Sequence, residues 1–175
     1  GSSTEVAANR LLEAAGLDPM KDIQRDPLSV QESVNAMKDQ KIVAFFWIGG
    51  LPTAAVTELA TTGPKVKFLP TVQYVQGLAA KYGPVYYPRE LPANVYPNIA
   101  SIPGIGVDNL LVVNANMPAQ LVYDILKTLF DNQADVQAIH AEAKKFNLQS
   151  AALVSPVPFH PGAIRFFTEK GVYKP

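Results

Sequence analysis

Five prolines, Pro84, Pro88, Pro92, Pro97 and Pro103, fall within twenty residues of this 175-residue chain. Each removes a backbone donor and fixes φ near about −65°, so no helix runs through them and no central strand of a sheet holds them. Edge strands and extended crossing segments are what remain. The segment therefore divides the chain. Before it, strand and helix patterns alternate; after it, helix patterns dominate. This places an α/β unit over residues 1–103, followed over 104–175 by a crossing strand and C-terminal helices.

The N-terminal part carries its own punctuation. Ser2 with Glu5 three residues later has the spacing of a capping box, and Val6, Leu11 and the alanines up to Ala15 continue a helix to a C-terminal cap at Gly16. A second box, Ser29 with Glu32, opens a short helix with Val34 and Met37 on one side. Residues 41–48 read as a strand buried on both faces, rich in Ile, Val and Phe and closed by Gly49-Gly50. Pro52 then suits a first helical turn, with Ala55, Val56 and Leu59 at helical spacing. Gly63-Pro64 stops that helix, residues 66–69 make a second strand, and 71–82 a helix capped by Gly83. Such alternation with short connections predicts a mostly parallel sheet.

Beyond the prolines, residues 109–114 predict one more buried strand. Asn116 and Pro118 begin the longest helix, whose apolar stripe is Leu121, Val122, Ile125, Leu126, Leu129 and Phe130. A second helix carries Val136, Ile139, Ala143 and Phe146, and a last one covers 161–170, ended by Gly171.

Several function classes drop out. Fifteen Lys+Arg balance fifteen Asp+Glu, which gives no electrostatic reason to bind nucleic acid or an anionic membrane. Zero cysteine excludes disulfides, thiolate metal sites and a cysteine nucleophile. No run approaches the roughly 20 apolar residues of a membrane span. The two histidines, His140 and His160, are far apart and lack an acidic cluster, so they make no metal set, and His160-Pro161-Gly162 reads as a helix cap. Ser155 and the other serines lack a Gly-x-Ser-x-Gly setting, Gly104-Ile105-Gly106 lacks the third glycine of a dinucleotide fingerprint, and there is no phosphate loop. With neither a catalytic constellation nor a cofactor motif, the chain reads as a binding module rather than an enzyme. Only 17% of residues are charged, against about 25% for an ordinary soluble domain, as expected where surface is made to be covered.

Two segments are candidates for that binding. Ser2, Ser3 and Thr4 open a helix, so free backbone N–H groups and hydroxyls gather there and suit a carboxylate or phosphate; the same spacing also serves as an ordinary cap. Phe46, Trp47, Gly49 and Gly50 lie where a strand of an open α/β sheet ends, the usual place for a ligand, with glycines that let backbone approach closely. Core packing is the alternative for the aromatic pair.

These pieces recur together in one known family. Gly-Ser-Ser-Thr-Glu (1–5), Leu-Leu-Glu-Ala-Ala-Gly-Leu (11–17), Phe-Phe-Trp-Ile-Gly-Gly-Leu-Pro-Thr (45–53), Leu-Leu-Val-Val-Asn-Ala (110–115), Leu-Val-Tyr (121–123) and His-Pro-Gly-Ala (160–163) run in order along essentially the whole chain. Together they resemble the TAXI-type solute-binding proteins of TRAP transporters. The resemblance implies a periplasmic, non-enzymatic receptor without cofactor and with the type II bilobed periplasmic-binding-protein fold. Such a receptor hands a small carboxylate or amino acid, of the glutamate, glutamine or 2-oxoglutarate class, to a membrane permease. It implies that Ser2, Ser3 and Thr4 hold the ligand carboxylate, that Phe46, Trp47, Gly49 and Gly50 wall the cleft, and that the proline-rich crossing is the hinge.

Family members are close to twice this length. The resemblance thus implies a second lobe plus a return to the first, with the signal peptide outside the chain, weak ligand binding by the 175 residues alone, and dimerisation or domain swapping. Ser3 stands where the family pattern has glycine, which narrows the approach to the ligand. An effector-sensing domain of a transcription regulator is the alternative reading, distinguished by a helix-turn-helix upstream in place of a signal peptide.

Overall fold

A computed structural model of the chain describes residues 2–153 and 157–174; Gly1 and Ser155, considered above, lie outside them. The chain groups into two compact units, Gly1–Asp108 and Asn109–Pro175.

The first unit contains α1 (Ser3–Ala14), α2 (Val30–Lys38), α3 (Ala54–Thr62), α4 (Val75–Tyr82), β1 (Tyr87–Leu91) and β2 (Ile102–Gly106). The helix ends follow the local chemistry. Ser2 Oγ accepts the Glu5 N–H at 3.2 Å. At α2 both arms of the box form: Ser29 Oγ accepts the Glu32 N–H at 3.3 Å, and Glu32 Oε2 accepts the Ser29 N–H at 2.7 Å. Gly16 and Gly83 take φ of 82° and 85° just past α1 and α4, a left-handed conformation that glycine adopts without strain. Helices α2 and α3 pack through Val34, Ala55 and Leu59, with Val30, Met37, Phe45 and Val66 around them. A Lys38–Glu58 ion pair and a Gln31–Glu58 hydrogen bond close the rim of that contact.

Among the described residues the one ladder is antiparallel, β1 with β2, pairing Tyr87 with Gly106 and Leu91 with Ile102. It lies in and just beyond the proline-rich segment. Pro88 and Pro103 fit because both strands of a two-stranded sheet are edges. The loop between them turns through Asn94 and Asn98 at φ of 61° and 60°, a region asparagine tolerates. The Pro103 carbonyl accepts the Thr71 N–H at 3.1 Å, tying β2 to the single 3-10 turn that leads into α4.

Among the described residues no parallel pairing forms where the sequence pattern predicts it. Residues 41–48, 66–69 and 109–114 join no ladder. Among the described residues, 42–49 and 64–69 make no backbone–backbone hydrogen bond. Apolar, β-branched runs describe a surface that suits a sheet, whereas a ladder needs a second strand within reach. Two valines show the difference: Val34 on α2 is 0% exposed, and Val43 in the expected strand is 97% exposed. Phe45 turns into the α2–α3 core and Phe46 turns outward. The run therefore covers one face, where the sequence pattern predicts two.

The second unit contains α5 (Ala119–Asp131), α6 (Gln133–Ile139), α7 (Leu148–Ala151) and α8 (Pro161–Glu169). Its core is Val122, Ala163, Phe166 and Phe167, where α5 meets α8. Gly162 permits that approach: a Cβ there would run into the Ala119 carbonyl and lie 2.9 Å from Val122 Cβ. His160 caps α8, its Nδ1 accepting the Gly162 N–H at 3.2 Å with Pro161 in the first turn, and Gly171 follows at φ 71°. The helix expected through 136–146 is split. At His140 the backbone is extended, and its Nδ1 accepts the Glu142 N–H at 3.1 Å to start a 3-10 turn. Among the described residues no helix is long and apolar enough to cross a membrane.

Candidate functional site

Helix α1 presents the first candidate surface. Ser2 is extended at φ −91° and ψ 161°, which leaves the N–H groups of Ser3 and Thr4 beyond reach of any carbonyl within the helix. Ser2 and Ser3 are exposed and Thr4 is half-buried. Aligned peptide dipoles make this end positive. Glu5, in the same turn, would compete with an incoming anion, but its carboxylate is engaged by Arg25 at 2.8 Å.

The far end of α1 is anchored on α4. Glu13 Oε2 accepts from Lys81 Nζ and from the Tyr82 hydroxyl, each at 3.0 Å. Arg10 donates to the Tyr86 hydroxyl at 2.9 Å and lies 4.0 Å over the Tyr82 ring. A groove of about 220 Å³ runs here, lined in part by Arg10, Glu13, Tyr74, Gly77 and Lys81. Sequence reasoning missed this anchor, although Tyr82 and Tyr86 at a four-residue interval were its visible sign.

The Lys81 hydrogen bond, then the Tyr82 hydroxyl, hold the Glu13 carboxyl below its ordinary range. A carboxyl lowered in the folded state adds stability above its unfolded value, and that contribution is lost as pH falls through the lowered folded value. Wild type is therefore expected to be more stable than Glu13→Gln at neutral pH, with the gap closing on acidification below about pH 4. Thermal melts of both proteins at stepped pH check this; a gap that stays constant down to pH 3 would contradict it.

The second candidate surface is the loop that leads into α3. Phe46 and Trp47 are each 42% exposed. The Trp47 indole Nε1–H donates to Thr53 Oγ1 at 2.9 Å, and the Thr53 hydroxyl donates to the Gly50 carbonyl at 2.8 Å. The Thr53 N–H donates to the hydroxyl of Tyr96 at 3.1 Å. At Gly49, the space a side chain would need holds the indole: a Cβ would lie 2.7–2.8 Å from its ring atoms. The glycine thus admits Trp47, where sequence reasoning gave the space to a ligand.

Both candidate surfaces belong to the first unit, and Ser2, Ser3 and Thr4 are contiguous at one helix start. Among the described residues no hydrogen bond or ring contact joins them to Phe46, Trp47, Gly49 or Gly50. Thr53 and Tyr96 were not singled out from the sequence. Thr53 was visible as the end of the Phe45 to Thr53 motif; Tyr96, 43 residues away in the proline-rich loop, gave no local signal.

A family model described as the NMT1-like family matches residues 1–171. The chain belongs to the NMT1-like family. This is a periplasmic-binding-protein-like family, and membership supports a solute-binding role of the kind typically found outside the cytoplasm. The helices and the small sheet give this NMT1-like protein an α/β composition.

Proposed function

We propose that this NMT1-like protein is a receptor of the TAXI kind for a TRAP-type transport system. It binds a small carboxylate or amino acid and passes it to a membrane permease, without catalysing a reaction. The observation that carries this reading is the start of α1: two backbone N–H groups with no partner within the helix and exposed hydroxyls at a positive helix end, with the Glu5 carboxylate paired to Arg25. Phe46 and Trp47 supply the exposed aromatic surface such a ligand rests against. In this reading the extended apolar runs at 41–48 and 66–69 take up parallel pairing in the full-length, bilobed periplasmic receptor, and the proline-rich crossing is its hinge. The low charge and exposed apolar residues support self-association as a second property of the isolated chain.

One substitution separates ligand contact from helix capping. Ser3 is the first residue of α1, where proline is tolerated, and Ser2 before it already has the extended backbone that proline demands. Ser3→Pro deletes one N–H and one hydroxyl without breaking the helix. We expect unchanged helix content by circular dichroism and roughly tenfold or greater loss of affinity, a change of about 1.4 kcal/mol, for whichever of L-glutamate, L-glutamine or 2-oxoglutarate the full-length gene product binds. Wild-type affinity in Ser3→Pro would remove the α1 start from the binding site.

A further inference from the structure

Thr53 occupies the N-cap position of α3, where a threonine hydroxyl ordinarily accepts a backbone N–H from the first turn. Here it makes no such bond. The hydroxyl instead accepts from the Trp47 indole at 2.9 Å and donates to the Gly50 carbonyl at 2.8 Å. Its one proton and a lone pair are both committed, in a chain running from indole N–H through hydroxyl to carbonyl, so each bond polarises the next. The backbone of Thr53 is fixed separately, by its N–H bond to Tyr96, which is buried and stacked on Phe68 at 5.5 Å. On the other side the indole lies against Gly49, where no side chain fits. A surface tryptophan ordinarily keeps its rotamer freedom and loses it on contact. This one is held by a hydrogen bond to Thr53 and lies against Gly49 while 42% exposed.

We propose that Thr53 is a positioning residue for Trp47: it gives up its cap to hold the indole as a preformed platform against which the ligand rests. The inference builds on the receptor reading above. Thr53 acts through Trp47, and fixing the ring before binding removes an ordering cost that the ligand would otherwise meet.

Trp47 is the sole tryptophan, so its signals are unambiguous. The test uses the ligand-free chain first. Thr53→Val keeps the β-branched shape and removes the hydroxyl; Thr53→Ser keeps the hydroxyl. We expect Thr53→Val to lose the tryptophan near-ultraviolet circular dichroism, to lower the emission anisotropy, and to speed solvent exchange of the single indole N–H resonance at least tenfold. Thr53→Ser should match wild type in all three. Equal spectra in Thr53→Val and wild type, or equal losses in the Val and Ser variants, would overturn the positioning role. Should Thr53→Val fail to fold, the wild-type resonance decides: an indole N–H that exchanges as fast as free tryptophan's contradicts the proposal, and a slowed one supports it.

Titration with L-glutamate, L-glutamine and 2-oxoglutarate then tests the platform in the full-length gene product. Thr53→Val should bind about tenfold more weakly than wild type, and Thr53→Ser within twofold of it. Unchanged affinity in Thr53→Val overturns the platform's part in binding. Failure of wild type to bind these three and every other small carboxylate and amino acid tried overturns the receptor reading and the platform with it, whereas spectral failure alone overturns only the role of Thr53.

Discussion

Phe166→Ala is expected to cost about 3–5 kcal/mol, the largest effect of any single substitution in the second unit. The side chain is 0% exposed. Its ring stands 5.6 Å from Tyr123 and 5.5 Å from both Phe130 and Phe167, edge-on to the first and last and stacked on the second. Truncation removes the ring's transfer energy and leaves a void between α5 and α8 that neighbouring aromatics fill only in part. A unit of this size holds about 3–10 kcal/mol in total, so the loss approaches the whole margin. Phe166→Leu keeps most of the volume and should cost about 1.5 kcal/mol or less. Denaturant unfolding followed by circular dichroism measures both. An alanine variant within 1 kcal/mol of wild type would show that α5 and α8 do not depend on this ring.

Tyr96→Ala is the corresponding prediction for the first unit, again about 3–5 kcal/mol. Tyr96 is 1% exposed and stacks on Phe68 with an interplanar angle of 13°. It also accepts the Thr53 N–H, so alanine creates a cavity and removes a hydrogen-bond acceptor at once. Tyr96→Phe isolates the second contribution and should cost about 1 kcal/mol. The alanine variant should also change the Trp47 emission, because Tyr96 fixes Thr53 and Thr53 holds the indole. Equal stability of the Ala and Phe variants would assign the effect to the hydroxyl and remove the ring from the core.

What the sequence disclosed depended on how far apart the interacting residues are. Caps were legible because they are local: the Ser29–Glu32 box, the His160 cap and the glycines after α1, α4 and α8 all act within a few positions. The apolar stripe of α5 was legible in part for the same reason, since helix geometry sets its face: Val122, Leu126 and Phe130 join the core, while Leu121 is 48% exposed. Strands were not, because a ladder is a relation between distant segments. Residues 41–48 have the composition of a buried strand and lie unpaired, while the ladder that forms passes through Pro88 and Pro103. At the candidate site, Ser2, Ser3, Thr4 and the Trp47 segment could be named from residue type. The bond from Thr53 to Tyr96 spans 43 residues, and the diversion of a cap hydroxyl to an indole shows only in three dimensions.

Isothermal titration of the full-length gene product with L-glutamate, L-glutamine and 2-oxoglutarate tests the receptor reading most directly. One-to-one binding of at least one of them is expected, with the Trp47 emission changing in step and Ser3→Pro weakening it about tenfold. Absence of heat and of any emission change with every small carboxylate and amino acid tried, by a protein that is folded, would contradict it.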